Sequence, residues 1–99
     1  MTGEIHRQAV SIANPQGFHM RPMAAFVEAA NRYPSCVVTV TRAGMAPVNG
    51  KSMLMLMGLV AEQGTDLVIE VSGPRAAEAL ATLLQVIQRN YDEVNEPSC

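Results

Sequence analysis

The sequence predicts an α+β domain in which three helices cover one face of a single β-sheet. Its 99 residues are the size of one small domain. Three segments alternate apolar and polar residues as strands do, and two repeat apolar residues with the period of a helix. A short strand between two turns and a short helix capped by a serine are expected between them. Their order is β-α-β-β-α-β-α. We expect residues 1–99 to form a single domain with its core over about 5–90, and residues 91–99 to fray.

The first half of the chain supplies two strands and the first helix. Residues 5–12 alternate as a strand does, and the turn at 14–17 contains a proline and a glycine. A helical period follows over 20–32 and stops before a proline. β-branched residues at 36–42 predict the second strand. The helix face expected to be buried carries Met23, Phe26 or Val27, and Ala30.

The second half contains a hairpin partner, a short helix, a strand and a long helix. A short strand around Ala46–Val48 is expected to pair with the second strand. The short helix is predicted over Met53–Leu59 and ends near Gly58 or Gly64. Residues 66–72 alternate as a strand, and the last helix is predicted to open at Pro74 and to run to about Arg89. Its apolar stripe consists of Ala77, Leu80, Leu84 and Ile87.

Composition excludes several function classes. The net charge is −2, so the chain has no basic face that would bind nucleic acid. Cys36 and Cys99 lack the Cys/His spacing of a zinc site, and we expect neither a metal nor a disulfide. The apolar stretch from Met53 is about half of a membrane span, and no signal-peptide pattern is present. We therefore expect a cytoplasmic protein without membrane insertion.

A histidine stands where the first helix is predicted to begin. In GFHMRPMA, His19 lies between a turn at Gly17 and the first helical residues. Unpaired N–H groups and the positive end of the helix dipole meet at such a position and favour an anion. The guanidinium of Arg21 suits phosphate oxygens, and Pro22 fits the first helical turn. The pattern is that of a phosphoryl-accepting site, although a histidine that caps the helix or packs beneath the turn stays open as an alternative.

A serine stands at the predicted start of the second helix. Ser52 is a natural N-cap, and a phosphate there would place about two negative charges beside the apolar residues that follow. Lys51 before it could be only a solubilising charge. The letters GKS invite comparison with a Walker A loop, but Met45 occupies the position where that pattern needs its first glycine. The sequence therefore argues against nucleotide binding.

Taken together, these stretches resemble the HPr family, the histidine-containing phosphocarriers of the phosphoenolpyruvate:sugar phosphotransferase system. The resemblance runs from about residue 8 to 88 and rests on the order and spacing of GFHMRPMAAFVEAA, VNGKSMLMLMGL, EQGTDLVIEVSG and the last helix. It implies an open-faced β-sandwich, a four-stranded antiparallel sheet with three helices on one side. It also implies a phosphoryl carrier without a cofactor rather than an enzyme.

The resemblance also implies roles for individual residues. His19 matches the histidine that enzyme I phosphorylates on Nδ1, using phosphoenolpyruvate, and that passes the group to enzyme IIA-type proteins. Arg21 matches the arginine that steadies the phosphoryl group, and Pro22 the proline that starts the helix. Ser52 matches the serine that an ATP-dependent HPr kinase/phosphorylase modifies in many bacteria. A transcriptional regulator that reads this second modification is a further expected partner, and we expect the chain to be a monomer.

The family binds its partners through the exposed side of its first two helices. Flexible thioethers adapt to several surfaces, which suits a carrier that docks with different proteins in turn. The residues expected to contact partners are Met20, Met53, Leu54 and Met57. The alternative is that methionines fill gaps in the core, and we expect this for Met55 because its helical phase is opposite.

Two other hypotheses compete with a phosphocarrier. The first is a regulatory interaction module in which phosphorylation of Ser52 is the main event and no sugar transport occurs. The second is a small-molecule-binding α/β domain. The second gives no reason for His19, Arg21 and Ser52 to stand at two helix starts.

Overall fold

The computed structural model describes residues 4–89, which form one four-stranded antiparallel sheet and three helices. The strands are β1 (Glu4–Ser11), β2 (Val37–Arg42), β3 (Val48–Asn49) and β4 (Asp66–Gly73). The helices are α1 (Met20–Ala30), α2 (Met53–Met57) and α3 (Ala76–Gln88). The order in the sheet is β1-β4-β2-β3. The predicted element order and the open-faced β-sandwich are confirmed, whereas the expected fraying of 91–99 lies outside the described residues.

The core lies between the sheet and the helices. β4 pairs with β1 on one side, where Leu67 faces Val10, and with β2 on the other, where Ile69 faces Val40. α3 packs on β1, β4 and α1, and α2 packs on α1 and β3. Burial of one large aliphatic side chain stabilises the fold by about 1.5–3 kcal/mol, so this shared layer holds the helices to the sheet. The largest of these side chains are Phe26, Leu56, Leu59, Leu67, Ile69 and Leu83.

Two sequence predictions shift by one or two residues. The third strand is Val48–Asn49 rather than Ala46–Val48, because Pro47 has no N–H to donate to a neighbouring strand. The last helix begins at Ala76 and not at Pro74, since Arg75 between them is in the left-handed conformation with φ 64°. The predicted stripe was right at two positions, whereas Ala77 is exposed and Leu84 is half-buried. The side chains of α3 that are buried are Ala76, Ala79, Leu80, Leu83, Val86 and Ile87.

The short helix α2 also differs from the expectation. Met55 was expected in the core but is exposed, and Leu56 is the buried residue of the helix at 1% exposure. α2 ends earlier than predicted, with Gly58 as its C-cap, and Leu59 is buried beyond the helix. Because Ser52 caps the helix from its first turn, the helical phase turns Leu56 inward and leaves its two neighbours outside.

The start of α3 is held by an ion pair with two hydrogen bonds. The guanidinium of Arg75 donates from Nε and Nη2 to the two carboxylate oxygens of Glu78, at 3.0 and 2.7 Å. These hydrogen bonds, and then the positive charge, hold the pKa of Glu78 below its ordinary value. Tyr33 completes the cluster, because its hydroxyl donates to Glu78 and its ring lies 5.4 Å from the guanidinium carbon. The cluster ties α3 to the end of α1.

Lys51 has a structural role that its sequence context did not reveal. Its ammonium donates to the backbone oxygens of Tyr33, at 2.8 Å, and Cys36, at 2.7 Å. The interpretation as a solubilising charge is wrong, since the ammonium joins the loop before α2 to the loop after α1. The thiol of buried Cys36 donates to the oxygen of Pro74, whereas Cys99 lies outside residues 4–89. No helix within 4–89 is long and apolar enough to cross a bilayer.

Leu56 and Leu54 give a matched test of this packing on one short helix. Leu56→Ala is expected to lower the free energy of unfolding by about 2–5 kcal/mol, because it leaves a cavity under α2. Leu54→Ala, at a position 78% exposed, is expected to change it by less than about 0.5 kcal/mol. Urea denaturation of both variants measures the difference, and equal costs would contradict the packing of α2 described above.

Candidate functional site

A tight turn delivers the chain to the start of α1. The N–H of Gly17 donates to the oxygen of Asn14 at 2.8 Å, and Gly17 has a φ of +78°. The next N–H, of Phe18, donates to the oxygen of Ala61 at 2.8 Å. A Cβ on Gly17 would lie 2.7 Å from that oxygen and 2.9 Å from the Cα of Glu62. Both the backbone angle and the close approach therefore require glycine at this position.

The turn is anchored in the core by the residue between the glycine and the histidine. Phe18 is buried, and its ring meets that of Phe26 edge-to-face with centroids 5.8 Å apart. Such pairs contribute about 0.5–1.5 kcal/mol beyond the area they bury. Since Phe26 belongs to α1, the turn and the helix that follows it are fixed to each other through one aromatic contact.

His19 is the N-cap residue of α1, but its side chain does not cap the helix. Its backbone oxygen accepts from the N–H of Met23 at 2.9 Å, whereas the imidazole makes no capping hydrogen bond. The idea that His19 is present as a side-chain cap is therefore wrong. The residue is half-buried, and its Nε2 atom is shielded from solvent.

The surroundings of His19 favour a negative group. Arg21, the second residue of α1, is exposed, and within residues 4–89 no carboxylate forms an ion pair with it. The first turn of α1 contains no acidic residue, so no carboxylate within the helix itself offsets the positive end of its dipole. Pro22 is buried in that turn, as its sequence position predicted. His19 and Arg21 thus both lie at the start of α1, as the spacing of GFHMRPMA indicated.

Ser52 occupies the N-cap of α2. Its Oγ accepts a hydrogen bond from the N–H of Met55 at 3.2 Å, which is the capping role expected from the sequence. The segment that follows α2 reaches the His19 turn through Ala61. Ser52 therefore lies before α2, whereas the residue that contacts the His19 turn lies after it.

The residues expected to contact partners divide into two groups. Met20, Leu54 and Met57 are exposed apolar side chains on α1 and α2. Met53 is partly buried and packs against the core, so it has less surface to offer. His6, the second histidine of the chain, is on β1 and lies 3.1 Å from a carboxylate oxygen of Glu4. That places it on a different element from the candidate site.

Sequence reasoning missed the segment on which the His19 turn rests. Residues 59–65 contact the turn repeatedly: besides the Ala61 hydrogen bond, Gly64 donates to the oxygen of Ile12 and Gln63 to that of Ala13. A signal was present in Gly17, since a glycine beside a functional residue often marks a close backbone approach. It does not reveal which segment approaches. Within residues 4–89 no cluster of His, Cys, Asp and Glu suits a metal ion.

The chain is similar to known proteins in sequence and in fold. A family model described as PTS-HPr, the PTS HPr component phosphorylation site, matches residues 6–89. The phosphocarrier protein HPr of Pseudomonas aeruginosa is 40% identical over 84 residues, which is 85% of this chain and 92% of that protein. The crystal structure of HPr from Bacillus anthracis has a TM-score of 0.78 at 31% identity and covers 85% of this chain and 98% of that one.

A further solved structure comes from a regulatory relative. Crh of Bacillus subtilis, described as a catabolite repression protein and as a domain-swapped dimer, has a TM-score of 0.65 at 34% identity. The match covers 82% of this chain and 91% of that one.

Alanine variants of Gly17 and Gly64 distinguish two causes of lost stability, an unfavourable backbone angle and a steric clash of the added Cβ. Both have positive φ, but nothing lies within 4 Å of a Cβ placed on Gly64. Gly64→Ala is expected to destabilise the fold by about 1–2 kcal/mol from its backbone angle. Gly17→Ala is expected to cost more and to shift the amide resonances of Phe18 and His19. Thermal unfolding and amide NMR measure this, and equal costs with unshifted resonances would contradict the close approach.

Proposed function

The chain belongs to the PTS-HPr family of phosphocarriers, and on this premise we propose that His19 accepts a phosphoryl group from phosphorylated enzyme I and passes it to enzyme IIA-type proteins. Proteins of this family are carriers of phosphoryl groups within the phosphotransferase system and not catalytic enzymes. The observation that carries the proposal is the position of His19 at the positive end of α1, two residues before exposed Arg21.

The proposed transfer is a substitution at phosphorus. The lone pair of Nδ1 of neutral His19 forms the new N–P bond while the bond between phosphorus and the donor's nitrogen breaks, and that electron pair stays with the donor. The phosphoryl group then lies at the start of α1, where backbone N–H groups and the guanidinium of Arg21 stabilise its negative charge. Transfer to the acceptor repeats the step in the opposite sense. Because Nε2 is shielded, the reaction is confined to one nitrogen.

The exposed apolar residues of α1 and α2 form the proposed docking surface. Met20, Leu54 and Met57 are exposed, and Met53 contributes its accessible part. A carrier binds donor and acceptor alternately, and thioethers repack against different partner surfaces at low cost. We place the carrier in the cytoplasm and expect it to act as a monomer with enzyme I and enzyme IIA-type proteins.

His19 and His6 provide a matched pair of variants for the transfer. Incubation with phosphoenolpyruvate and the cognate enzyme I is expected to give one acid-labile, base-stable phosphate on the wild-type chain. His19→Ala removes the label, whereas His6→Ala, on another element, keeps it. Arg21→Gln is expected to slow labelling about tenfold, as the loss of roughly 1–2 kcal/mol of charge stabilisation implies. Equal labelling of the wild type and His19→Ala, or an unlabelled wild type, would sink the proposal.

Ser52 supports a second candidate function, regulation by phosphorylation. Its hydroxyl is at the start of α2, and a phosphate there would bring about two negative charges beside Met53 and Leu54. Such a charge alters the proposed docking surface. It would weaken binding of a partner with an apolar surface and favour binding of a partner with a basic surface. The Bacillus subtilis relative Crh, a catabolite repression protein, belongs to this class. The partners in this case are an HPr kinase/phosphorylase and a transcriptional regulator.

Labelling with ATP tests the serine independently of the histidine. With an HPr kinase/phosphorylase, the wild-type chain is expected to gain an acid-stable phosphate that Ser52→Asn lacks. Asparagine is a good N-cap, so this variant keeps α2 capped while it removes the hydroxyl. Ser35→Ala, at an exposed serine outside the helices, is the matched control and keeps the label. A label retained in Ser52→Asn would exclude Ser52, and a label from ATP without one from phosphoenolpyruvate would favour the purely regulatory module.

A further inference from the structure

The segment after α2 contains a backbone conformation that is unusual for its residue. Val60 has a φ of +48°, in the left-handed region that β-branched residues rarely adopt, because Cβ comes close to the backbone carbonyl. Helices often end with a residue in this conformation, and that residue is usually glycine. The side chain of Val60 is 63% exposed, so its own burial does not offset the strain. Something else must hold the backbone here.

Arg42 supplies that restraint from the sheet. Its Nη1 donates to the oxygen of Leu59 at 2.6 Å and to the oxygen of Val60 at 2.9 Å. One guanidinium nitrogen thus holds two successive carbonyls, and hydrogen bonds from a charged donor are about twice as strong as neutral ones. Arg42 is the last residue of β2, on the face that also carries buried Val38 and Val40. Within residues 4–89 no carboxylate competes for its charge.

The segment held by Arg42 leads directly into the residue that contacts the turn before His19. Ala61, the next residue after Val60, has the oxygen that accepts the N–H of Phe18 at 2.8 Å and that a Cβ on Gly17 would touch. A rotation of the backbone at Val60 turns the peptide that carries this oxygen. A relaxed Val60 would therefore move the acceptor away from Phe18, the residue directly before His19.

We propose that Arg42 is a positioning residue for phosphoryl transfer at His19. By holding the carbonyls of Leu59 and Val60 it keeps Val60 left-handed, and the oxygen of Ala61 then fixes the turn before α1. The role of His19 in transfer is the function proposed above, and the inference about Arg42 rests on it. A 1 Å misplacement of a reacting group lowers a rate by up to about a hundredfold, so a restraint two contacts away from the ring matters for the reaction.

The test uses two substitutions, their combination and a control. Arg42→Met removes both hydrogen bonds but keeps the stem of the side chain. Val60→Gly removes the strain, since glycine adopts a positive φ freely. The double variant shows whether Arg42 acts through Val60. Arg7→Met is the control, because Arg7 is an exposed strand arginine whose only ion pair in residues 4–89 is a 3.8 Å contact with Glu70.

Two readouts are taken for each variant: the NMR resonances of the Phe18 amide and the His19 imidazole, and the labelling rate with phosphoenolpyruvate at saturating enzyme I. Arg42→Met is expected to shift both resonances and to lower the rate about tenfold to a hundredfold. Addition of Val60→Gly to this variant should return the resonances to their wild-type positions and restore most of the wild-type labelling rate. Val60→Gly alone should raise Tm without moving the resonances, and Arg7→Met should change neither readout.

A purely structural Arg42 gives a different result. In that case Arg42→Met lowers Tm but leaves the His19 resonances and the saturated rate unchanged, or Val60→Gly fails to restore them, and either outcome overturns the proposal. If Arg42→Met does not fold, Arg42→Lys takes its place. It is expected to shift the same resonances by a smaller amount, and addition of Val60→Gly must return them to the wild-type positions. The resonances need no partner protein. An unlabelled wild type would therefore refute the proposed function, whereas the resonances would still show whether Arg42 holds the turn before His19 in place.

Discussion

The hydrogen bond from the N–H of Phe18 to the oxygen of Ala61 is the contact on which the candidate site depends. It joins the turn before α1 to the segment after α2, two parts of the chain more than forty residues apart. Gly17 permits it, because any larger residue would collide with the same oxygen. The phenyl ring of Phe18 then continues the contact into the core. A site built in this way takes the position of its backbone from the packing of two distant segments.

The helix starts at the two candidate positions lack acidic side chains. Charged residues make up only 16% of the sequence, and the first turns of both α1 and α2 lack acidic residues. α3 differs, because Glu78 in its first turn binds Arg75 at its start. The helix that begins at His19 therefore has no negative side chain of its own at its positive end. In so weakly charged a molecule, one phosphate of about −2 changes the local field substantially.

How far the sequence predicts this molecule depends on which interactions are local. The alternation of apolar and polar residues along the strand predicts that Val38 and Val40 face inward. The turn before His19 and the proline after it predict that the helix starts there. The inward position of Arg42 follows from the same alternation, but its acceptors lie seventeen and eighteen residues away. The left-handed Val60 opposes its own propensity, and no local rule finds it. Met55 was wrongly placed in the core because five consecutive apolar residues carry no periodicity that shows which of them, here Leu56, faces inward.

The ammonium of Lys51 has a consequence for any protein that recognises Ser52 in the folded domain. Because that charge is directed onto the backbone oxygens of Tyr33 and Cys36, it is not displayed next to the hydroxyl as the linear sequence suggests. A modifying enzyme that approaches Ser52 meets thioether and leucine side chains in place of a basic determinant. In a short peptide with the same sequence the ammonium would lack these acceptors, so the peptide and the folded domain would present different surfaces around the serine.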